Sequence, residues 1–258
     1  MKIATWNVNS LRLRLPQVLD WLDTSHVDVM ALQETKTQDC DFPRDVIHAH
    51  GLHVAFSGQR TYNGVAILSR LPLHDVETGI PGLVDEQKRV VAATVNGVRV
   101  INVYVPNGQT VASEKYDYKL MWLEALTEYV RNALSHYEKL VILGDFNIAP
   151  EDRDVHDPKA WEGSVLVSEA ERHALSKLKS LPLLDVFRQF DQADKSFSWW
   201  DYRAAGFRRN AGLRIDLILA SASLSKQCKH CSIDMQPRTH ERPSDHTPVM
   251  AEFDVVGS

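Results

Sequence analysis

Polar side chains that could perform chemistry stand directly after apolar runs of this sequence. In LVILGDFNIAP (140–150), an aliphatic run leads to Asp145 and Asn147, which are separated by one residue. Side chains two positions apart on an extended segment point to the same side, so a carboxylate and a carboxamide are expected together at the end of a buried strand. Because an ionised carboxylate at the edge of a core is costly without partners, Asp145 is predicted to bind a partner group or ligand.

Other predicted strands carry similar residues. Asn7 and Asn9 in TWNVNS, Glu34 in ALQETK, and Tyr104 and Asn107 in YVPNG lie at strand ends. Asp216 lies inside the apolar strand LRIDLIL, and Asp245 and His246 in PSDHTP come immediately before the final strand. A single Asn or Asp at a strand end most often caps a turn, but independent caps are not expected to give a whole set of oxygen ligands and acid–base groups. Asp216 lies between two aliphatic residues and needs a partner if it is buried; His246 is the natural one.

The chemistry that such a set supports is narrow. Hard oxygen ligands without cysteine select Mg²⁺ or Mn²⁺ over zinc. A Mg²⁺ ion near Glu34 would polarise a phosphoryl oxygen, while Asp145 and Asn147 could orient and activate an attacking water. No glycine-rich phosphate loop of the Walker type is present, which disfavours nucleoside triphosphate hydrolysis. The residues alone therefore predict a metal-dependent phosphodiesterase or phosphatase.

The elements that must position these residues are mostly strands. VVAATVNGVRVINVY (90–104) predicts a hairpin around Asn96-Gly97, and helices are predicted over 15–23, 114–136 and, with a capping pattern at Ser168, 168–180. Because the strands outnumber the helices and exceed one comfortable open sheet, two mixed sheets packed face to face are expected. We expect one catalytic domain over 1–258.

Composition narrows the class of protein. The chain has 258 residues, 44% of them hydrophobic, which is enough for a substantial core. No apolar run is long enough for a transmembrane helix, and MKIATWNVNS lacks the apolar stretch of a signal peptide, so a cytoplasmic location is expected. The single C-x-x-C of CKHC (Cys228, Cys231) leaves too few further cysteines for a structural zinc site.

One stretch is locally basic although the net charge is −5, which taken alone argues against a nucleic-acid partner. WWDYRAAGFRRNAGLR (199–214) interleaves arginines with aromatic residues and contains a single aspartate. Arginines suit contacts to phosphates, and aromatic rings suit stacking on bases or sugars. The alternative is a solvated loop.

The ordered motifs resemble a known family. WNVNSLRLRL, LQETK, YNGVAILSR, INVYVPNG, GDFNIAP, WWDYR…GLRIDLIL and ERPSDHTPV are similar to the exonuclease III family of apurinic/apyrimidinic (AP) endonucleases, a branch of the endonuclease/exonuclease/phosphatase superfamily, from residue 1 to about 254. The resemblance implies an α/β fold, a four-layered α/β sandwich in which two mixed β-sheets pack face to face and are flanked by helices. It also implies a Mg²⁺-dependent enzyme, with Mn²⁺ as a substitute, that acts on double-stranded DNA.

The resemblance assigns roles to residues of this sequence. It implies a metal site formed by Asn7, Glu34, Asp145, Asn147 and Asp245. It implies catalytic roles for Tyr104, Asp145, Asn147, Asp216 and His246, in which Tyr104 contacts the phosphate or assists the leaving group. Asp145 and His246 are both candidates for the group that takes the proton of the attacking water, and Asp145 is favoured.

The resemblance also implies DNA contacts. These involve Asn9, Asn107, Trp199, Arg208, Arg209 and Leu213. Trp199 and Leu213 would form the apolar walls of a pocket for a sugar without a base, although relatives carry an aromatic residue at the position of Leu213. The start of the helix at EKYDYK, with Lys115, Tyr118 and Lys119, fits a surface that faces DNA; a solvated helix face is the alternative.

The expected function is a DNA-repair nuclease that cuts 5′ to abasic sites and trims the 3′ ends of duplex DNA, with a monomer as the default. Three alternatives stay open at this point. They are a 3′-end-specialised exonuclease or phosphodiesterase, a phosphoesterase of the same superfamily with a non-DNA substrate, and a non-catalytic nucleic-acid-binding member.

Overall fold

Two mixed β-sheets run through the middle of the structure, a computed structural model that describes residues 1–255. The strands are β1 (Lys2–Asn7), β2 (Val29–Gln33), β3 (His53–Ser57), β4 (Val65–Ser69), β5 (His74–Thr78), β6 (Val90–Val95), β7 (Val98–Tyr104), β8 (Leu140–Asp145), β9 (Leu183–Asp185), β10 (Trp199–Trp200), β11 (Gly212–Leu213), β12 (Asp216–Ser221), β13 (Cys228–Ile233) and β14 (Val249–Phe253). The α-helices are α1 (Leu11–Ser25), α2 (Arg44–Ala49), α3 (Glu114–His136), α4 (Pro158–Trp161), α5 (Glu169–Ser180) and α6 (Ala222–Ser225).

The strand orders show how distant parts of the chain meet. The first sheet has the order β13-β14-β1-β2-β4-β3 and the second has the order β5-β6-β7-β8-β12-β9. Parallel pairs occur between β1 and β2 and between β7 and β8, whereas their other neighbours pair in the antiparallel direction. A separate short pair joins β10 to β11. Both sheets are therefore mixed, as predicted.

Alternating side chains bury both faces of the central strands. In β8, Val141 and Leu143 enter the core between the two sheets, while Leu140 and Ile142 pack under helices of the outer layer. A strand covered on both faces must be apolar throughout, which explains the uninterrupted aliphatic run before Asp145.

Helices cover the outer face of each sheet. Residues of α1 and α2 pack on the first sheet, and residues of α3 and α5 pack on the second sheet. The order of layers is thus helices, sheet, sheet, helices, which confirms the predicted four-layered α/β sandwich. Within residues 1–255, no helix combines the length and the apolar composition that a membrane crossing requires.

Local sequence signals were reliable where the turn or cap is made by adjacent residues. Asn96 and Gly97 adopt φ of 48° and 74° and close the predicted hairpin between β6 and β7. Ser168 caps α5, and both hydrogen bonds of its capping box with Glu171 are present. The first helix is longer than the predicted 15–23. It runs from Leu11 to Ser25 and contains Pro16 in its interior.

Candidate active site

Strand register brings the predicted site residues to one edge of the sandwich. In the second sheet, Tyr104 pairs with Asp145, and Asp145 pairs with Asp216, so the ends of β7, β8 and β12 form a row. In the first sheet, Asn7 pairs with Gln33 at the ends of β1 and β2, one residue before Glu34. The two sheets thus present their polar ends side by side.

Asn7 links the carboxylates of the two sheets. Its side-chain amide donates to Asp145 Oδ2 at 2.9 Å and to Glu34 Oε1 at 2.9 Å. Its Oδ1 accepts the backbone N–H of Asn9 at 3.0 Å, so both ends of this fully buried carboxamide are occupied. Asn7 therefore orients the carboxylates in this structure, and the metal-binding role that the resemblance implies for it stays a prediction.

Asp145 and Asn147 lie together, but strand alternation is not the reason. The strand ends at Asp145, and Asn147 adopts a left-handed φ of 49°. The backbone N–H of Asn147 donates to Asp145 Oδ1 at 2.9 Å, and its side-chain amide donates to the carbonyl of Val105 at 2.9 Å. The remaining oxygen of its carboxamide accepts from Asn107 Nδ2 at 3.2 Å. A turn therefore folds Asn147 back over the carboxylate.

A buried aspartate holds the histidine. Asp216 Oδ2 lies 2.9 Å from His246 Nδ1 and also accepts the hydroxyl of Ser198 at 2.6 Å. His246 Nε2 faces Asp145 Oδ2 at 3.6 Å, which leaves the imidazole between two carboxylates. Burial alone would lower the pKa of His246, but Asp216 and Asp145 raise it to about 10. The histidine is therefore a cation at neutral pH.

The pKa of Asp145 is also raised, but burial and not a neighbouring charge is the main cause. Burial, the largest influence, raises the pKa of Asp145 to about 7, although the charge of His246 opposes this. A carboxyl group with this pKa can accept a proton near neutral pH, whereas an imidazole that is already protonated cannot.

Asp245 occupies the other side of the histidine. Its Oδ1 accepts from Asn9 Nδ2 at 2.9 Å, and its Oδ2 accepts from Trp199 Nε1 at 3.0 Å. Burial would raise the pKa of Asp245, but the charge of His246 and these two donors lower it. Asp245 is thus an ionised carboxylate whose two oxygens are engaged by the predicted DNA-contacting residues.

The segment before β14 is anchored to the end of β1. Ser244 Oγ donates to the carbonyl of Asn7 at 2.7 Å, and Trp6 Nε1 donates to the carbonyl of His246 at 3.3 Å. No sequence motif predicts these contacts, because serine and tryptophan at such positions have many other uses.

The donor set fits a hard divalent cation. Ligand atoms of Glu34, Asp145 and His246 all lie within 4.8 Å of one another. With His246 held as a cation by its aspartates, the two carboxylates are the ligands that suit Mg²⁺ or Mn²⁺. Glu34 and Asp145 belong to the predicted metal set, and Asn147 adjoins them through Asp145; the roles of Asn7, Asn147 and Asp245 as ligands stay predictions.

Tyr104 faces the carboxylates from β7. Burial and the charges of Glu34 and Asp145 raise the pKa of the Tyr104 hydroxyl well above its ordinary value, so it keeps its proton. The guanidinium of Arg89 lies 4.7 Å from the ring centroid and donates to the Tyr104 carbonyl at 3.1 Å. Arg89 is a residue that no motif of the sequence singled out.

Left-handed backbone conformations concentrate at this edge. Asn9, Glu34, Lys36 and Asn147 have φ of 44°, 51°, 52° and 49°. Residues other than glycine pay about 1–3 kcal/mol in such conformations, and they persist where surrounding contacts impose them. Lys36 illustrates the contacts, because its Nζ lies 2.9 Å from Glu34 Oε2 and donates to Asn9 Oδ1 at 2.6 Å.

The predicted DNA contacts separate into three groups. Trp199 is partly exposed beside Asp245, Asn107 is exposed beside Asn147, and Arg208 and Arg209 are exposed on the loop between β10 and β11. Leu213 is fully buried and pairs with Trp199 across β10 and β11, so it supports this wall from behind and does not form its surface.

The prediction that Lys119 faces DNA is wrong. Its side chain is fully buried and forms an ion pair with Glu171 of α5. Tyr118, its neighbour, is partly exposed and donates to Asp85 Oδ2 at 2.6 Å, and Lys115 is exposed. The start of α3 thus presents only part of the predicted surface.

This architecture, with a carboxylate and histidine site at the edge shared by two stacked sheets, is that of a metal-dependent phosphoesterase. The model of the endonuclease/exonuclease/phosphatase family matches residues 4–246. Exodeoxyribonuclease III of Haemophilus influenzae is 35% identical over 266 residues, which cover 98% of this chain and 100% of the relative. The chain belongs to the endonuclease/exonuclease/phosphatase family, and within it to the exonuclease III branch.

Solved structures of this branch are closely similar. A 3′ phosphatase from Neisseria, bound to a product DNA hairpin, is 49% identical with a TM-score of 0.97, and the match covers 98% of this chain and 99% of that chain. An AP endonuclease from Archaeoglobus fulgidus is 41% identical with a TM-score of 0.95, and the match covers 99% of this chain and 100% of that chain.

Proposed function

We propose that this protein is a Mg²⁺-dependent DNA-repair nuclease that hydrolyses phosphodiesters 5′ to abasic sites and removes nucleotides or blocking groups from the 3′ ends of duplex DNA. The observation that carries the proposal is the cluster of Glu34, Asp145 and His246, with ligand atoms within 4.8 Å of one another, at an edge lined by the predicted DNA contacts. We further propose that residues 1–258 form one catalytic domain, which acts as a monomer in the cytoplasm.

Glu34 and Asp145 have different roles in this proposal. Glu34, with Asp145 beside it, would hold Mg²⁺, which when bound supplies Lewis-acid stabilisation of charge on the phosphoryl group; Mn²⁺ could replace it. Asp145 accepts the proton of the attacking water, a role supported by its buried position beside Asn147 and 3.6 Å from His246 Nε2. Asn147 holds that water or a phosphate oxygen in line, because its carboxamide is fixed by the Val105 carbonyl and Asn107.

The cationic and neutral donors act on the phosphate. His246, kept protonated by Asp216, faces the developing negative charge, and its contribution is electrostatic. Tyr104 donates its hydroxyl proton in a hydrogen bond to a phosphate or leaving-group oxygen, a role supported by its raised pKa. Asp245 keeps Asn9 and Trp199 in place for the DNA strand.

A second candidate is a 3′-end specialist with little AP endonuclease activity. The 49% identical relative is a 3′ phosphatase.

Three labelled duplexes test the proposal. One carries a central abasic-site analogue, one has a recessed 3′ hydroxyl end, and one has a recessed 3′ phosphate; each is incubated with Mg²⁺ and, in parallel, with EDTA. Metal-dependent incision at the lesion together with 3′ trimming supports the broad function. Trimming or phosphate release without incision supports the specialist, and an uncut set of all three would refute both.

A further inference from the structure

The ammonium group of Lys119 connects two loops of the candidate active site. Its Nζ donates to the carbonyl of Asn107 at 3.1 Å and to the carbonyl of Asn147 at 2.7 Å. The third donor goes to Glu171 Oε1 at 2.5 Å. All three N–H bonds of this fully buried ammonium are therefore used, and two of them hold the backbones that carry Asn107 and Asn147.

Glu171 extends the same network to a third loop. Its Oε1 also accepts the backbone N–H of Leu166 at 3.0 Å, and its Oε2 accepts the N–H of Ser168 at 3.1 Å and the Ser168 hydroxyl at 2.5 Å. Both carboxylate oxygens of this fully buried residue are thus satisfied. The loops that follow β7 and β8 and the loop before α5 meet at one ion pair.

The loops are arranged so that their carbonyls face Lys119 and their carboxamides face each other. Asn107 Nδ2 donates to Asn147 Oδ1 at 3.2 Å on the active-site side. The stem of the lysine supports the first loop as well, because a Cβ added at Gly108 would lie 3.1 Å from Lys119 Cδ. A small displacement of either carbonyl would therefore change the direction of a carboxamide in the site.

We infer that Lys119 and Glu171 are positioning residues for the carboxamides of Asn107 and Asn147. The inference rests on the proposed function, because that function gives Asn147 its role at the water or phosphate and gives Asn107 the role of fixing the Asn147 carboxamide. A buried ion pair is often no more stabilising than apolar residues of similar volume. What apolar residues cannot supply is a donor to the two loop carbonyls, and this separates positioning from stability.

The test compares two double variants. Lys119→Met with Glu171→Leu removes the ion pair without leaving a buried charge. As a control, Arg99→Met with Glu77→Leu removes a pair outside the site, in which Arg99 is buried and Glu77 is half exposed. We expect the Lys119 and Glu171 double variant to lose about 100-fold in kcat, the scale of a misplacement near 1 Å, with KM for DNA changed less than ~3-fold. The control pair should keep its kcat.

Lys119→Arg provides the rescue, because a guanidinium can reach both carbonyls, and it should keep kcat within ~5-fold of the parent while Lys119→Gln loses activity. A folded double variant with parental kcat would overturn the inference. If the double variant does not fold, equal activity of the Arg and Gln variants would overturn it instead.

A measurement without catalysis separates this inference from the proposed function. Side-chain amide resonances of Asn107 and Asn147, assigned by NMR, should shift or broaden in Lys119→Gln but not in Lys119→Arg. If the parent protein cuts no DNA while these resonances respond as expected, the proposed function fails and the positioning role stands. Unchanged resonances in Lys119→Gln would remove the positioning role itself.

Discussion

Asp145→Asn tests the assignment of the general base most directly. The substitution keeps the shape of the side chain and removes its charge. Asp145 Oδ2 accepts from Asn7 at 2.9 Å and lies 3.6 Å from His246 Nε2, and Oδ1 accepts from the backbone of Asn147 at 2.9 Å. An amide group in either orientation therefore points its N–H₂ at a neighbouring donor.

These contacts determine the expected changes in folding stability and in reaction rate. Leaving a buried donor without its acceptor costs about 1–3 kcal/mol, and the loss is reduced because a carboxylate no longer has to be buried, so the variant should fold. Loss of a general base lowers a rate by about 10²–10⁴-fold. DNA binding should be retained or strengthened, since one negative charge has left the site.

Single-turnover cleavage of the abasic-analogue duplex at saturating Mg²⁺ measures the rate, and fluorescence anisotropy with labelled duplex measures binding. Asp194→Asn, at an exposed position of a different loop, controls for the loss of one charge. A rate for Asp145→Asn within ~5-fold of the parent, with intact folding and binding, would refute Asp145 as the base.

Three further predictions follow from the geometry. Asp216→Asn removes the charge 2.9 Å from His246 Nδ1 and should lower kcat by about 10–100-fold with little change in KM, as judged by steady-state kinetics. In EDTA, the raised pKa of His246, about 10 against an ordinary 6.5, stabilises the fold fully below pH 6.5, and this contribution is lost as pH rises to 10. The fall in Tm between pH 7 and 10 should therefore be shallower in His246→Asn; parallel curves would contradict it. Gly144→Ala would place a Cβ 1.9 Å from a carbonyl oxygen of β7 and should cost at least ~2 kcal/mol in urea unfolding, more than Gly97→Ala, whose Cβ meets nothing within 4 Å.

The sequence predicted the features that depend only on residues adjacent in the chain. The hairpin at Asn96-Gly97 and the cap at Ser168 depend on the conformations of a few adjacent residues, and both were correct. The gathering of polar strand ends was also predictable, because the carboxyl ends of β1 and β8 share an edge with the amino ends of their antiparallel neighbours β14 and β12.

Contacts between distant residues were beyond the reach of the sequence patterns. Lys119 sits in a charged helix start that is typical of a surface, and only Glu171, 52 residues later, makes its burial possible. Leu213 is covered through its pairing with Trp199, and the side of Asn147 was set by a left-handed turn where an extended strand was expected. Each miss concerns a residue whose environment is supplied by another element.

The position of β1 between β2 and β14 has a consequence for the synthesis of this protein. The Trp6 indole reaches the carbonyl of His246 over 240 residues of chain, and the Asn7 carbonyl binds Ser244. The candidate active site therefore cannot form on a ribosome until residues 244–253 have emerged. A nascent or proteolytically shortened chain that lacks residues 244–253 would have neither His246 nor β14. The topology thus makes formation of the candidate active site depend on a segment more than 230 residues away from β1 along the chain.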